Sequence, residues 1–150
     1  MKRSVWGLVL LVGLFVFTAA VQAQKSYSAD DFSISARISE DGSLLVEEQV
    51  IFNFAGGPFT FVFRELPGSY NDGIVDISAG VDGQPWPLGS EPGQVEISGN
   101  DPVRITWHLP ESSNTTHAFN LNYRMQGAVR QEAQADVLKW WPLPDQYEYP

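Results

Sequence analysis

The sequence of 150 residues contains no cysteine, so no disulfide can stabilise the fold and no thiolate is present for catalysis or metal binding. Stability must therefore come from a hydrophobic core. Nine phenylalanines, five tyrosines and five tryptophans supply the apolar area for such a core.

Basic residues are scarce. The chain has nine of them against eighteen acidic residues, and because two of the nine precede residue 24, residues 24–150 carry a formal charge of 7 minus 18, or −11. Nucleic acid and anionic lipid are themselves negatively charged, so this excess disfavours both as partners. We expect no nucleic-acid partner.

The common catalytic and cofactor motifs are also missing. There is no Gly-x-Ser-x-Gly motif, and the glycines of residues 55–58 are followed by neither the lysine nor the helix that phosphate binding requires. His108 and His117 lack a compact set of further ligands, and acidic turns such as Asp41-Gly42 lack the ligand spacing of a calcium loop. We predict no catalytic residues, no metal and no cofactor, hence a protein that is not an enzyme.

The N-terminus has the pattern of a secretory signal peptide. A basic start precedes an apolar run over residues 5–20, and small residues lead to a cleavage site before Gln24. The alternative, an uncleaved transmembrane anchor, needs about 20 apolar residues, and this run is shorter. The pattern predicts a signal-peptide helix at residues 1–23 and an exported domain at residues 24–150. The aromatic, proline-rich end leaves open whether the chain is a fragment of a longer protein.

Along the exported part, apolar residues alternate with polar ones, which is the pattern of strands with one buried face. The alternation and the turn signals between segments predict an all-β fold, an antiparallel β-sandwich of about seven to eight strands. The predicted strands cover residues 32–38, 44–54, 59–66, 74–81, 94–98, 103–109, 117–125 and 137–141. The residues expected to face the core include Val75, Ile77, Ala79 and Val81; Val103, Ile105, Trp107 and Leu109; and Phe119, Leu121, Tyr123 and Met125.

Residues 55–58 have the composition of a four-residue hairpin loop. Such a loop pairs the flanking strands and places Glu48 opposite Glu65, where two carboxylates repel each other. A bulge after Phe63 would turn Arg64 toward Glu48 and relieve the repulsion. The apolar pairs of this predicted register are Phe54 with Phe59, Phe52 with Phe61, and Val50 with Phe63.

Glu48 interrupts an apolar face, and three interpretations follow. It lies near the rim of the sheet in water, as most glutamates do. Alternatively it forms an ion pair with Arg64 that fixes strand register, because an unpaired buried charge is costly. The third interpretation, a catalytic pair of Glu48 with Glu65, has no metal or substrate contact to support it. We predict the structural ion pair of Glu48 and Arg64.

The tryptophans are the best candidates for a binding surface. Trp86 is flanked by prolines that keep it out of a central strand, and Trp140 and Trp141 are adjacent, so only one of the two can enter the core from a strand. Exposed indoles bind sugars or apolar partner surfaces. The alternative is ordinary packing, with Trp107 and one of the adjacent pair in the core.

Three segments resemble a known family: "DGSLLVEEQVIFNFAGGPFTFVFRELP" at residues 41–67, "FNLNYRMQGAV" at residues 119–129 and "ADVLKWW" at residues 135–141. Their order and spacing are similar to the extracytoplasmic N-terminal domain of a bacterial predicted membrane protein family, domain of unknown function 2207. The resemblance implies a signal peptide, a β-sandwich outside the cytoplasm and then one or more transmembrane helices. No such span follows before Pro150, so the resemblance places membrane association in a segment beyond residue 150.

The resemblance brings no catalytic residues with it. We expect a non-enzymatic extracytoplasmic domain of a membrane-associated bacterial protein, in the periplasm or on the outer face of the cytoplasmic membrane. Its expected partner is an envelope protein or the membrane-spanning region of its own chain. The alternative is a carbohydrate-binding module or a glycan hydrolase of the envelope, for which Trp86 and Trp140 or Trp141 would line a groove.

Overall fold

The structure is a computed structural model that describes residues 24–143. The predicted signal-peptide helix at residues 1–23 lies outside the described residues. Within the described range all regular elements are strands: β1 (Ser26–Ile38), β2 (Leu44–Ala55), β3 (Phe59–Leu66), β4 (Gly73–Val81), β5 (Gln84–Pro85), β6 (Gln94–Ser98), β7 (Val103–Ser112), β8 (Thr115–Gln126), β9 (Val129–Gln131) and β10 (Asp136–Leu138). The short strands β5 and β9 were not predicted, because two or three residues are too few to show alternation.

The strands form a larger sheet in the order β1-β2-β8-β4-β5, a smaller sheet in the order β3-β7-β6, and a β9-β10 hairpin. All the pairings between these strands are antiparallel. The two main sheets pack face to face around Trp107 of β7. Its Nε1 donates to the Gly80 carbonyl oxygen of β4 at 3.2 Å, and its ring meets Phe119 of β8 at 5.7 Å. The prediction of an all-β antiparallel fold is confirmed.

The core follows the alternation that was predicted for β7 and β8. Residues of both strands point between the sheets at every second position, and water is excluded from them, so these faces supply most of the hydrophobic stabilisation. The confirmed core residues are Val103, Ile105, Trp107, Leu109, Phe119, Leu121, Tyr123 and Met125.

The predicted hairpin of β2 with β3 is wrong. β2 lies between β1 and β8 in the larger sheet, whereas β3 pairs with β7 in the smaller one, so residues 55–58 cross from sheet to sheet. Phe61 and Phe63 therefore point to solvent and do not face Phe52 and Val50. Phe61 is 53% exposed and Phe63 is 48% exposed. Alternation shows which residues share a face of a strand, but it does not identify the neighbouring strand.

Arg64 reaches the interior without the predicted bulge after Phe63. Val62 and Arg64 both lie on the inward face of β3 by simple alternation. The irregularity of β3 against β7 falls instead between Phe59 and Phe61. The inward direction of Arg64 thus follows from its position in the strand and from the crossover before it.

Two further boundaries differ from the prediction. An irregularity between Val75 and Ser78 changes the face of β4, so Ile74 and not Val75 packs against the core. The last strand ends at Leu138, and the residues that follow, predicted to continue it to residue 141, lie outside any strand. The apolar residues of this segment alternate without interruption in the sequence, so the alternation does not reveal the bulge.

Strand β1 extends beyond the smaller sheet. On this side β3 lies over β2, because Arg64 of β3 meets Glu48 of β2, and β3 meets β1 near its start, where the Phe59 ring lies 6.4 Å from the Tyr27 ring. Four residues of β1 share the inward face through their pairing with β2. Of these, Phe32 and Ile34 are half-buried while Ala36 and Ile38 are exposed. The overhang leaves an apolar strip uncovered.

Candidate functional site

Glu48 of β2 is a buried carboxylate, with 4% of the residue exposed. Arg64 Nε donates to its Oε2 at 3.0 Å, and Arg64 Nη2 donates to its Oε1 at 3.2 Å, so the ion pair has two hydrogen bonds. The interpretation that leaves Glu48 in water is wrong. The structure brings Glu48 and Arg64 together across the interior, from one sheet to the other, and not along a hairpin.

Tyr123 of β8 completes the shell around Glu48. Its hydroxyl donates to Glu48 Oε1 at 2.7 Å, and its oxygen is hydrogen-bonded by the side chain of Trp140, whose indole N–H can only donate. Burial, and then the neighbouring Glu48 carboxylate, raise the pKa of Tyr123 far above its ordinary value. Tyr123 therefore stays protonated and remains a donor to Glu48 at physiological pH.

The same network holds the last described segment of the chain, residues 139–143. Arg64 Nη2 donates to the Pro142 carbonyl oxygen at 2.8 Å, and the Trp140 ring packs against the core. The segment forms one wall of a shallow groove, open to solvent, whose other walls include Ile74 and Met125. Two contacts therefore fix residues 139–143 to the sandwich.

The geometry of Glu48 is that of a structural charge. Its two oxygens accept three hydrogen bonds from Arg64 and Tyr123, and the residue is almost fully buried, so the carboxylate has little access to a substrate. Glu65 lies on the opposite face of β3, where Arg104 Nη1 approaches its carboxylate at 3.4 Å and both side chains are well exposed. The structure does not bring Glu48 and Glu65 together.

The tryptophans of the predicted binding surface are in different settings. Trp86 is half-buried against the core beside β4, where its backbone N–H donates to the Ala79 carbonyl oxygen at 3.0 Å. Trp140 is likewise packed against the core. Trp141 is 57% exposed, and its ring meets Tyr70 at 5.5 Å. The groove beside residues 139–141 includes Trp140 and Trp141 but not Trp86.

An exposed apolar surface surrounds Trp141. Lys139 Nζ lies 5.8 Å from the centre of the Tyr70 ring, so the cation and the two neighbouring rings form one group. Sequence reasoning identified Trp141 but missed Tyr70, because the loop that brings Tyr70 to Trp141 carries no periodic signal. We name this the Trp141 surface; its members are Tyr70, Leu138, Trp141 and Leu143, each between 38% and 57% exposed.

A second polar cluster lies where β7 and β8 meet. His117 Nδ1 is 2.7 Å from Asp82 Oδ2, and His117 Nε2 is 3.5 Å from Ser112 Oγ, which is the order of groups in a serine-hydrolase triad. However, the Ser112 hydroxyl donates to the Pro110 carbonyl oxygen at 2.8 Å, and Ser112 is 8% exposed. The hydroxyl is committed to a backbone acceptor and is not activated by His117. A motif search could not find this cluster, because its members come from three separate segments.

Asp82 also stabilises the backbone at this end. Burial opposes its ionisation, but hydrogen bonds from the Ala118 N–H and from His117 lower the pKa of Asp82 below its ordinary value of 3.8. Asp82 Oδ1 accepts from the Ala118 N–H at 2.9 Å, which joins the end of β4 to β8. The cluster acts as a tie between strands.

Residues 24–143 contain no group of three or more His, Cys, Asp or Glu side chains placed to hold a metal ion. His108 Nε2 lies 3.1 Å from Glu96 Oε2 on the outer face of the smaller sheet, away from His117. The same range contains no helix long and apolar enough to cross a membrane.

The fold and the site define an all-β sandwich domain in which the buried Glu48 carboxylate is paired with Arg64. A family model described as "Predicted membrane protein (DUF2207) N-terminal domain" matches residues 28–150, and the chain belongs to this family. No curated protein and no solved structure gives a significant match.

Proposed function

We propose that this domain is a non-enzymatic contact module outside the cytoplasm. It is exported by a signal peptide at residues 1–23 that is then cleaved. In the membrane-associated protein to which it belongs, it binds another envelope protein or the membrane-spanning region of its own chain. Membership of a family of predicted membrane proteins supports the membrane association. The sequence pattern of residues 1–23 supports the export.

The Trp141 surface is the observation that carries the proposal. Its rings and leucines are exposed, yet residues 139–143, which bear Trp141 and Leu143, are fixed by Pro142 to Arg64 and by Trp140 to Tyr123. A pre-positioned apolar surface loses little conformational entropy when a partner covers it. Aromatic residues in such a position are typical of the centres of protein interfaces.

The buried charges support a role without catalysis. Glu48 is buried and accepts three hydrogen bonds from Arg64 and Tyr123, and the Ser112 hydroxyl donates to Pro110 and not to His117. A catalytic carboxylate or hydroxyl needs a free lone pair or an activating base within reach of a substrate. The geometry of both clusters favours stabilisation of the fold.

Site-specific photocrosslinking in living cells tests the proposal. A photoreactive phenylalanine analogue replaces Trp141, and in a matched control it replaces Leu88, which is 70% exposed on a different part of the molecule. We expect a discrete crosslinked protein band, or an intramolecular crosslink in the full-length protein, from position 141 and none from position 88. Equal crosslinking at both positions, or none at 141, contradicts the proposal.

The second candidate, binding of an envelope glycan, is favoured by one observation, the neighbouring and exposed rings of Trp141 and Tyr70. Sedimentation of the protein with purified cell-wall glycan distinguishes the two. Co-sedimentation that Trp141→Ala abolishes supports the glycan, whereas its absence together with a crosslinked protein supports the contact module. An alkaline phosphatase fusion after residue 143, which is active only outside the cytoplasm, tests the export.

A further inference from the structure

Residues 139–143 follow the last strand, which ends at Leu138, and contact both main sheets; we name these residues the strap. Two of its residues, Trp140 and Pro142, are half-buried, whereas the other three are exposed. This alternation is that of an extended segment with one side turned inward. The inward side attaches the strap to the sandwich, and the outward side carries two members of the Trp141 surface.

The strap is attached by few bonds. Arg64 Nη2 donates to the Pro142 carbonyl oxygen at 2.8 Å, and the Trp140 side chain donates to the Tyr123 hydroxyl oxygen. Between the residues that the structure describes, no backbone–backbone hydrogen bond involves residues 139–143. Segments with few backbone bonds are the parts of a protein that open locally at low free energy.

Release of the strap would leave the buried Glu48 cluster intact. When Pro142 departs, Arg64 keeps both of its hydrogen bonds to Glu48, from Nε at 3.0 Å and from Nη2 at 3.2 Å. When Trp140 departs, the Tyr123 hydroxyl still donates to Glu48 Oε1 at 2.7 Å. The large cost of leaving a buried charge without its partner is therefore avoided. The sandwich can stay folded whether the strap is docked or released.

Apolar contact favours the docked position. Trp140 packs against the core, and the groove that the strap lines on one side is lined on its other sides by residues that include Leu66, Ile74 and Met125. With the strap in place, Leu66 is 2% exposed and Met125 is 4% exposed. Release would expose apolar area of the indole and of the groove to water, at a cost proportional to that area. The Trp140 indole is thus the main attachment of the strap.

The Trp141 surface depends on the docked strap. Trp141 and Leu143 belong to the strap, whereas Tyr70 belongs to the loop between β3 and β4. The two parts meet through the 5.5 Å contact between the Trp141 and Tyr70 rings and the 5.8 Å contact from Lys139 Nζ to the Tyr70 ring. Both contacts are lost when the strap leaves. A released strap therefore cannot present these residues as one surface.

We propose that the strap is a switch: docked, it assembles the Trp141 surface, and released, it separates the surface into parts while the sandwich stays folded. This inference deepens the proposed contact function and rests on it. Because a partner of the assembled surface binds the docked state alone, the partner and the docked strap stabilise each other. A displacement that draws residue 143 away from Arg64 has the opposite effect and weakens the binding of the partner.

The test is fluorine NMR of the full chain labelled with fluorotryptophan, with each resonance assigned by changing one tryptophan at a time to phenylalanine. We expect the resonances of Trp140 and Trp141 to exchange together with a minor, released state on the microsecond-to-second time scale of lid opening. Trp86 and Trp107 are internal controls in the sandwich and should show no such exchange. Exchange of all four resonances together, or of none, overturns the inference.

Two matched variants shift the equilibrium. Trp140→Ala removes the indole that docks the strap, and Trp86→Ala removes another indole that is half-buried against the core. We expect Trp140→Ala to raise the ratio of released to docked strap about a hundredfold, because the indole contact and its hydrogen bond are lost. The Trp141 resonance should then move to the released position, while the Trp107 resonance stays in place. An equal movement of the Trp141 resonance in Trp86→Ala overturns the inference.

Crosslinking separates the switch from the contact function. With the photoreactive analogue at position 141, the further change Trp140→Ala should reduce the crosslinked band severalfold, and Trp86→Ala should leave it unchanged. A band that persists undiminished beside Trp140→Ala disproves the switch alone. Joint exchange of Trp140 and Trp141 without any crosslink from position 141 disproves the contact function alone. If Trp140→Ala unfolds the domain, which a displaced Trp107 resonance would reveal, the exchange in the natural sequence decides.

Discussion

The two polar clusters of the sandwich occupy opposite ends of β8 and are built from similar chemistry. Tyr123 and His117, one from each cluster, are six residues apart on the inward face of β8, a distance of about 20 Å. In the first cluster, the Glu48 side chain is 2% exposed and that of Arg64 is 17% exposed. In the second cluster, the His117 side chain is 24% exposed and that of Asp82 is 53% exposed.

This difference in burial decides what each cluster contributes. A charge in the interior has lost its hydration, so removal of its partner leaves it uncompensated. A charge at the rim keeps most of its water and depends little on its partner. Hydrogen-bond distances alone, 2.7 to 3.2 Å in the Glu48 cluster and 2.7 Å between His117 and Asp82, do not reveal the difference.

The largest effect is expected from Arg64→Gln. This change leaves the buried Glu48 carboxylate with the Tyr123 hydroxyl as its one remaining donor among those described, and it should lower the free energy of unfolding by about 3–5 kcal/mol. Urea denaturation followed by tryptophan fluorescence measures it. The matched control is Arg130→Gln, whose ion pair with Asp72 is exposed and should contribute less than about 1 kcal/mol. Equal losses in the two variants would show that burial does not set the contribution of an ion pair.

A double-mutant cycle sharpens the same comparison. We expect Glu48→Gln to cost more than about 1 kcal/mol, and the double variant with Arg64→Gln to cost less than the sum of the two single changes. The reason is that the second change removes a charge whose partner is already gone. Strictly additive losses would show that Glu48 and Arg64 do not stabilise each other.

Tyr123→Phe should have an intermediate effect, about 1–3 kcal/mol, because Glu48 loses one hydrogen bond. The pH dependence has a definite sign. Tyr123 has a raised pKa in the folded state, so its contribution is present below the ordinary value of 10.0 and is lost as the pH rises above it. Denaturation at pH 7 and pH 11 should show that the natural protein loses more stability at high pH than Tyr123→Phe. A parallel decline of the two would contradict this.

Asp82→Asn should cost less than about 1 kcal/mol, because the Asp82 side chain is 53% exposed. The pKa of Asp82 is lowered, so its contribution is present above the ordinary value of 3.8 and is lost as the pH falls below it. The difference in melting temperature between Asp82→Asn and the natural protein should therefore be small at pH 7 and absent near pH 2. A loss as large as that of Arg64→Gln would show that exposure does not govern these clusters.

The last prediction is the absence of an effect. A fluorophosphonate probe should not label Ser112. The Ser112 hydroxyl donates to Pro110 and lies 3.5 Å from His117 Nε2, so it is not an activated nucleophile. Intact-mass spectrometry, with a known serine hydrolase as positive control, provides the measurement. A stoichiometric adduct that Ser112→Ala abolishes would assign catalysis to this cluster.

The sequence predicted the strands and their faces where the pattern was regular. The faces of β7 and β8 were predicted correctly because both strands are long and bury one side, so apolar residues fall at every second position. The face of β4 was predicted incorrectly at Val75, because a bulge reverses the alternation without leaving a mark in composition.

The arrangement of the site was less predictable. That Glu48 needs a cationic partner follows from its position on an apolar face. Arg64 was the predicted partner because the assumed hairpin brought β3 beside β2. That the two meet across the sheets depends on the crossover at residues 55–58, and a short loop of this composition suits a hairpin equally well. Tyr123 is 75 residues from Glu48 in the chain, and Pro142 is 78 residues from Arg64. No local sequence pattern contains such distant contacts.

The attachment of residues 139–143 has a mechanical consequence. A pulling force applied at Leu143 would pass through Pro142 to Arg64 on β3 and through Trp140 to Tyr123 on β8, so the load would be divided between the two sheets at the point where they are clamped together. Both sheets would resist the force together until the hydrogen bond from the Arg64 guanidinium to the Pro142 carbonyl oxygen broke.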